Sequence, residues 1–140
     1  MKQCLFLLCF LLSIFSASPA QAQESQGIAN AKAAALAWLA VVDAGHYAQS
    51  WDQGAVLFQE GVPKAQWESA VESARLPLGA VKSRQLTSAT FARSLPGAPD
   101  GEYVVILFET DFQSRAAAVE TVTPMREKDG SWKVSGYFIK

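Results

Sequence analysis

The spacing of apolar residues changes once along this chain, at Gly79, and that change limits the folds open to it. Before Gly79 apolar side chains recur at helical spacing; after it they alternate, as on a half-buried strand. Ile28, Ala31, Ala35, Trp38, Leu39 and Val42 mark one face of a first helix, which Gly45 is placed to stop. A second helix is expected to carry Tyr47, Trp51, Ala55 and Phe58 on one face and to end near Gly61, although Gly54 inside it weakens the helix. Pro63 suits the first turn of a third, with Trp67, Ala70, Val71 and Ala74 turned inward. Arg75 sits favourably against the helix dipole in its last turn, and Pro77 ends it.

Four strands follow, over Val81 to Arg93, Glu102 to Phe112, Ala116 to Glu127 and Trp132 to Ile139. The links between them carry turn chemistry, as in Pro96-Gly97-Ala98-Pro99-Asp100-Gly101 and Lys128-Asp129-Gly130-Ser131. About three N-terminal helices packed on a four-stranded antiparallel meander make an α+β fold, with a single domain expected over residues 28–140. Alternation puts Val104, Ile106, Phe108 and Phe112, with Trp132, Val134 and Phe138, on the face beneath the helices. Tyr103, Val105, Leu107, Tyr137 and Ile139 fall on the other face beside Glu109 and Asp111. An outer face this apolar is expected to be an interaction surface, and a weak two-fold homodimer through the sheet is one use for it.

The N-terminus reads as a secretory leader. Met1-Lys2 supply a positive start, Cys4 to Phe15 form an apolar run, and Ala20-x-Ala22 is a small-residue cleavage pattern. The run is shorter than the ~20 residues a bilayer span needs, so cleavage after Ala22 is expected, with no lasting membrane insertion. Cys9 lies in mid-run, where a lipid-bearing cysteine would not be. Removing 22 of the 140 residues leaves 118, enough for one core, with Gln23 to Gly27 as a loose tail. Both cysteines leave with the leader, so the mature chain has no disulfide, thiol nucleophile or cysteine–zinc site. Lys2 is the leader's one basic residue, so 11 basic residues remain against 13 acidic ones. That net charge of −2 offers no pull toward nucleic acid or an anionic membrane, and a periplasmic or secreted protein is expected.

A set of short motifs resembles a known family. Arg75-x-Pro77-Leu78-Gly79-x-Val81-x-x-Arg84 is followed by Leu95-Pro96-Gly97-x-Pro99-Asp100-Gly101-x-Tyr103. Phe108-x-Thr110-x-Phe112, Glu120-Thr121-Val122 and Asp129-Gly130-x-Trp132-x-Val134-x-Gly136-Tyr137 complete the set. Together they resemble the domain of unknown function family 4019 across essentially the whole mature chain. The resemblance implies a small exported bacterial domain and brings no activity or catalytic residues with it. The helix-then-sheet order is also similar to nuclear-transport-factor-2-like and cystatin-type cones, a likeness of fold that carries no function.

Chemistry-bearing residues are few. His46 is the only histidine, with Asp43 three residues earlier to orient it; its ordinary reading is a polar residue in a helix connection. Glu109, Asp111 and Glu120 lie on neighbouring strands where carboxylates can gather, or can pair with Arg84, Arg93 and Arg115. No Gly-x-Ser-x-Gly elbow, phosphate loop or metal-ligand spacing occurs, so no catalytic residue, cofactor or metal is assigned. Trp38, Trp51, Trp67 and Trp132 either fill the core or line a cleft between helices and sheet. A ligand, if one binds, is expected near Trp51, Trp67 and Arg84, with Arg84 fixing an anionic group; otherwise Arg84 pairs with Glu68 or Glu72. The reading is a non-enzymatic envelope module for an unknown small ligand or an envelope protein. The alternatives are a small cone-fold enzyme using a carboxylate and a tyrosine in an apolar pocket, and an envelope inhibitor or immunity-type protein.

Overall fold

Helix α1 (Pro19–Asp43) buries Ala31, Ala35, Trp38, Leu39 and Val42, the stripe that its spacing marks, and lies across all four strands of the sheet. This is a computed structural model describing residues 18–140, so most of the expected leader lies outside the described residues. α1 starts well before Ile28. Pro19 opens it, where a missing N–H costs nothing, and an alanine- and glutamine-rich stretch sustains it. Gln23–Gly27, expected as a loose tail, is therefore helical. Gly27 lies against the Trp132 and Phe91 rings, and a Cβ there would stand 3.3 Å from Trp132 Cζ2.

The expected second helix is two helices, α2 (Tyr47–Asp52) and α3 (Val56–Gly61). The break falls at Gly54 and Ala55. A Cβ at Gly54 would stand 2.6 Å from Phe58 Cδ1 and 3.1 Å from Trp51 O, so any larger residue there requires the Phe58 ring to shift. The Ala55 N–H leaves the helical pattern to donate to Val134 O at 2.8 Å, which docks the bend on the sheet. α4 (Lys64–Arg75) buries Trp67, Val71 and Arg75, one residue per turn on a single stripe.

Strands β1 (Val81–Ala92), β2 (Tyr103–Phe112), β3 (Arg115–Arg126) and β4 (Trp132–Ile139) form an antiparallel meander in that order, with helices segregated before sheet in an α+β fold. The inward face of β2 runs Val104, Ile106, Phe108, Thr110, Phe112, and that of β3 runs Val122, Glu120, Ala118. Thr110 and Glu120 thus divide the core. Trp38, Ile106, Phe108 and Val122 lie in the larger cluster, and Leu78, Phe112 and Ala118 form the smaller.

Strand β4 departs from simple alternation. Thr123 pairs with Gly136 and Pro124 with Val134, so Ser135 is an extra residue, a β-bulge. One extra residue inverts the faces beyond it. Val134 and Tyr137 therefore both turn inward, Ile139 joins the smaller core cluster, and Phe138, expected inside, is 66% exposed outside. Tyr103 also leaves the expected outer strip. It is buried under the Pro99–Gly101 loop, and its hydroxyl donates to Pro99 O at 2.6 Å. Of the expected strip, Val105 and Leu107 remain on the open face, joined there by Val119 and Phe138.

Candidate functional site

Two arginines and two carboxylates meet where the core is divided. Arg75 continues the Trp67–Val71 stripe of α4 into the interior, so its guanidinium is buried and must find partners. Its Nη2 donates to Asp43 Oδ1 at 2.6 Å and its Nη1 to the Tyr137 hydroxyl at 3.1 Å. Nη1 also stands 3.8 Å from Glu120 Oε2, and the guanidinium lies 5.0 Å from the Phe112 ring centre. Arg84 faces inward from β1 beside Thr110. Its Nε donates to Glu120 Oε1 at 2.7 Å, and its two terminal nitrogens bond Asp43 at 2.8 and 3.0 Å.

Glu120 is fully buried. Besides Arg84 it accepts from Thr110 Oγ1 at 2.5 Å and from the Tyr137 hydroxyl. Every buried side-chain nitrogen and oxygen among the described residues has a hydrogen-bond partner. Charges balance in number, so the desolvation cost of each ion is offset by an opposite neighbour.

Asp43, the last residue of α1, is the member most open to water, with its side chain 27% exposed. A cleft of about 280 Å³ lies beside it, lined by Tyr47, Arg75, Leu76 and Gly79 among others. Partial burial pushes the Asp43 carboxyl upward, but the bonds and charges of Arg84 and Arg75 outweigh it and hold it below the usual carboxylate range. Burial, and then the Glu120 charge beside it, push the Tyr137 phenol well above its ordinary value.

Above the cluster sits an aromatic group. The Tyr137 ring meets Trp38 edge-on at 5.3 Å and Trp67 at 6.4 Å, and Trp67 meets Phe58 at 4.9 Å. Ser50 ties the two indoles together: Trp38 Nε1 donates to its carbonyl at 2.8 Å and Trp67 Nε1 to its hydroxyl at 2.9 Å.

The three residues expected around a ligand have separate duties. Trp51 donates its indole N–H to Val62 O at 2.7 Å beneath Lys64, Trp67 belongs to the aromatic group, and Arg84 to the charge cluster. Arg84 pairs with Asp43 and Glu120, on α1 and β3, instead of with Glu68 or Glu72 on α4. The expected carboxylates part company as well. Glu120 turns inward, while Glu109 and Asp111 face outward, where Asp111 Oδ1 accepts the Ala117 N–H at 2.7 Å. Asp43, a possible partner for His46, is taken by the two arginines.

Sequence reasoning offered Arg84 as a partner for Glu120, which it is, but missed the rest of the cluster, although signals for it were present. Arg75 falls four residues after Val71 on a buried stripe, and Glu120 alternates with Ala118 and Val122 on a buried face. A charge at a position whose period says "inside" requires a buried partner.

The fold and this cluster define a small α+β domain whose sheet is clamped to its helices by internal ion pairs. Residues 34–137 match the family model described as a protein of unknown function (DUF4019), and the chain belongs to that family. The matched region contains the whole cluster, and five of its members, Arg75, Arg84, Thr110, Glu120 and Tyr137, stand in the motifs that carry the resemblance. No curated protein and no solved structure matches the chain, so the likeness to nuclear-transport-factor-2-like and cystatin-type folds stays one of element order.

Proposed function

We propose that the protein is a non-enzymatic interaction module of the cell envelope, exported with residues 1–22 removed, which presents the outer face of its sheet to a protein partner. The observation that carries this reading is Phe138, 66% exposed on that face. Val119, 40% exposed, and half-buried Leu107 and Val105 extend the apolar surface across β3 and β2, with threonines between them. Exposed apolar side chains gathered on an open sheet face are characteristic of a partner site. The charge cluster supports the same reading, because its donors and acceptors are spent on one another and hold α1, α4, β1, β3 and β4 together. The basic start, short apolar run and Ala20-x-Ala22 pattern support export.

A photoreactive residue placed at Leu107 or Val119 in the producing cells tests the reading. A discrete protein adduct is expected from both sites and not from Gln49 on the helix side. The same pattern from all three, or a small molecule retained in native mass spectrometry with no adduct, would count against it. Intact mass should begin at Gln23 and carry no lipid.

One observation favours a second reading, a small enzyme. Glu120 and Tyr137 stand in contact beneath Trp38 and Trp67, a carboxylate and a phenol in an aromatic setting. Tyr137→Phe separates the two: the enzyme reading requires loss of a turnover, and the interaction module loses stability alone.

A further inference from the structure

We propose that the free edge of β4 pairs with the same edge of a second copy, about a two-fold axis at Phe138, joining two sheets into one. The register of the meander supplies the edge. Val119 and Lys140 exchange both backbone bonds at 2.9 Å, which makes them a hydrogen-bonded pair. By the antiparallel alternation, Thr121–Phe138 and Thr123–Gly136 are bonded pairs too, so Tyr137 and Ile139 turn their N–H and C=O away from β3. β4 is the last strand of the sheet, and nothing from the described residues bonds these groups. Upstream, the Ser135 bulge and the Ala55 bond to Val134 O close the edge, so the open run is short and centred on Phe138.

That run is self-complementary. In an antiparallel pairing centred on Phe138, Tyr137 faces Ile139 of the second copy and Ile139 faces its Tyr137, with both bonds exchanged at each place. Phe138 then faces Phe138 in a non-hydrogen-bonded pair, where side chains approach most closely and aromatic pairs stabilise a sheet. Lys140 meets Gly136, so no like charges oppose each other. Exposed edges are ordinarily blocked by charge. Here the centre instead carries one of the most exposed large apolar side chains of the described residues, its ring leaning back over Gly136 with Cε2 3.9 Å from where a Cβ would stand. A cleft of about 130 Å³ between β4 and α4 leaves room beside the edge, because α4 presents Ala70 and Ala74 there. So short a contact makes a weak dimer, formed at high local concentration. It shares Phe138 with the outer-face reading but leaves Leu107 and Val119 free for another protein, so the two are told apart at those residues.

The test uses the full chain with Cys4 and Cys9 replaced by serine, so that the result does not depend on leader removal. Under mild oxidation Phe138→Cys is expected to form a disulfide-linked dimer, since Cα atoms of a non-hydrogen-bonded pair lie ~4.5 Å apart, within disulfide reach. Val119→Cys, on the same face but one strand inward, is expected to stay monomeric. In sedimentation, Phe138→Lys should raise the dimer dissociation constant at least about tenfold, equivalent to ~1.4 kcal/mol. Ile139→Pro, which removes an outward N–H and no bond within the sheet, should do the same with an unchanged circular dichroism spectrum. Wild-type protein that is monomeric at its highest soluble concentration, or Phe138→Cys that cross-links no faster than Val119→Cys, overturns the proposal. Outer-face adducts at Leu107 would survive that result.

Discussion

Arg84 holds Asp43 by two parallel bonds, Nη1 to Oδ2 at 2.8 Å and Nη2 to Oδ1 at 3.0 Å, across 41 residues of chain. The same guanidinium reaches Glu120 through Nε, so one side chain clamps the end of α1 to β1 and β3. Only a planar fork with several donors can do this; an ammonium cannot.

Glu120→Ala is expected to cost ~3–5 kcal/mol in urea denaturation, because it strands Arg84 and Arg75 with one carboxylate between them. The pair replacement Arg84→Met with Glu120→Leu should recover part of that loss, since it removes one charge of each sign. A single-site cost below ~1 kcal/mol, ordinary for an exposed ion pair, would refute the buried cluster.

Acid should loosen the protein through Asp43. Its folded carboxyl titrates below the ordinary value, so the stability it contributes is full above about pH 4 and is lost as pH falls through the folded value. Unfolding midpoints of wild type and Asp43→Asn, followed down through this range, should converge. Parallel curves would contradict the assignment.

Tyr137 has the opposite sign. Its raised value means that the neutral phenol is favoured in the fold, so its contribution is full below about pH 10 and declines as pH rises further. The difference in tyrosinate absorbance between wild type and Tyr137→Phe should emerge only with alkaline unfolding. At neutral pH Tyr137→Phe should cost ~1–3 kcal/mol, because Glu120 and Arg75 lose a partner.

Two glycines one helix apart should respond in opposite ways. Gly54→Ala places a methyl 2.6 Å from Phe58 Cδ1 and should destabilise by ~1–3 kcal/mol. Gly61→Ala meets nothing within 4 Å and should be neutral or stabilising by up to ~1 kcal/mol. Thermal melts of the two variants compare them directly, and equal losses would show that crowding at Gly54 is not what sets the bend between α2 and α3.

Period and turn chemistry determined the α+β layout, the stripe of α1, the meander order of the strands and the inward face of β2, because each depends on neighbours a few residues apart. Tertiary contact decided the rest. Gly54 and Ala55 broke a continuous helical stripe, because a bond to Val134 outweighs local propensity. One extra residue at Ser135 exchanged the fates of Tyr137 and Phe138, and no pattern within β4 records which strand it must match. The pairing of Arg84 with Glu120 was among those the strands offered, but the meeting of Arg75 with Asp43 and Tyr137 was not. A buried ion is stabilised by whichever opposite charge the folded chain brings within a few ångströms, and sequence distance carries no information about that.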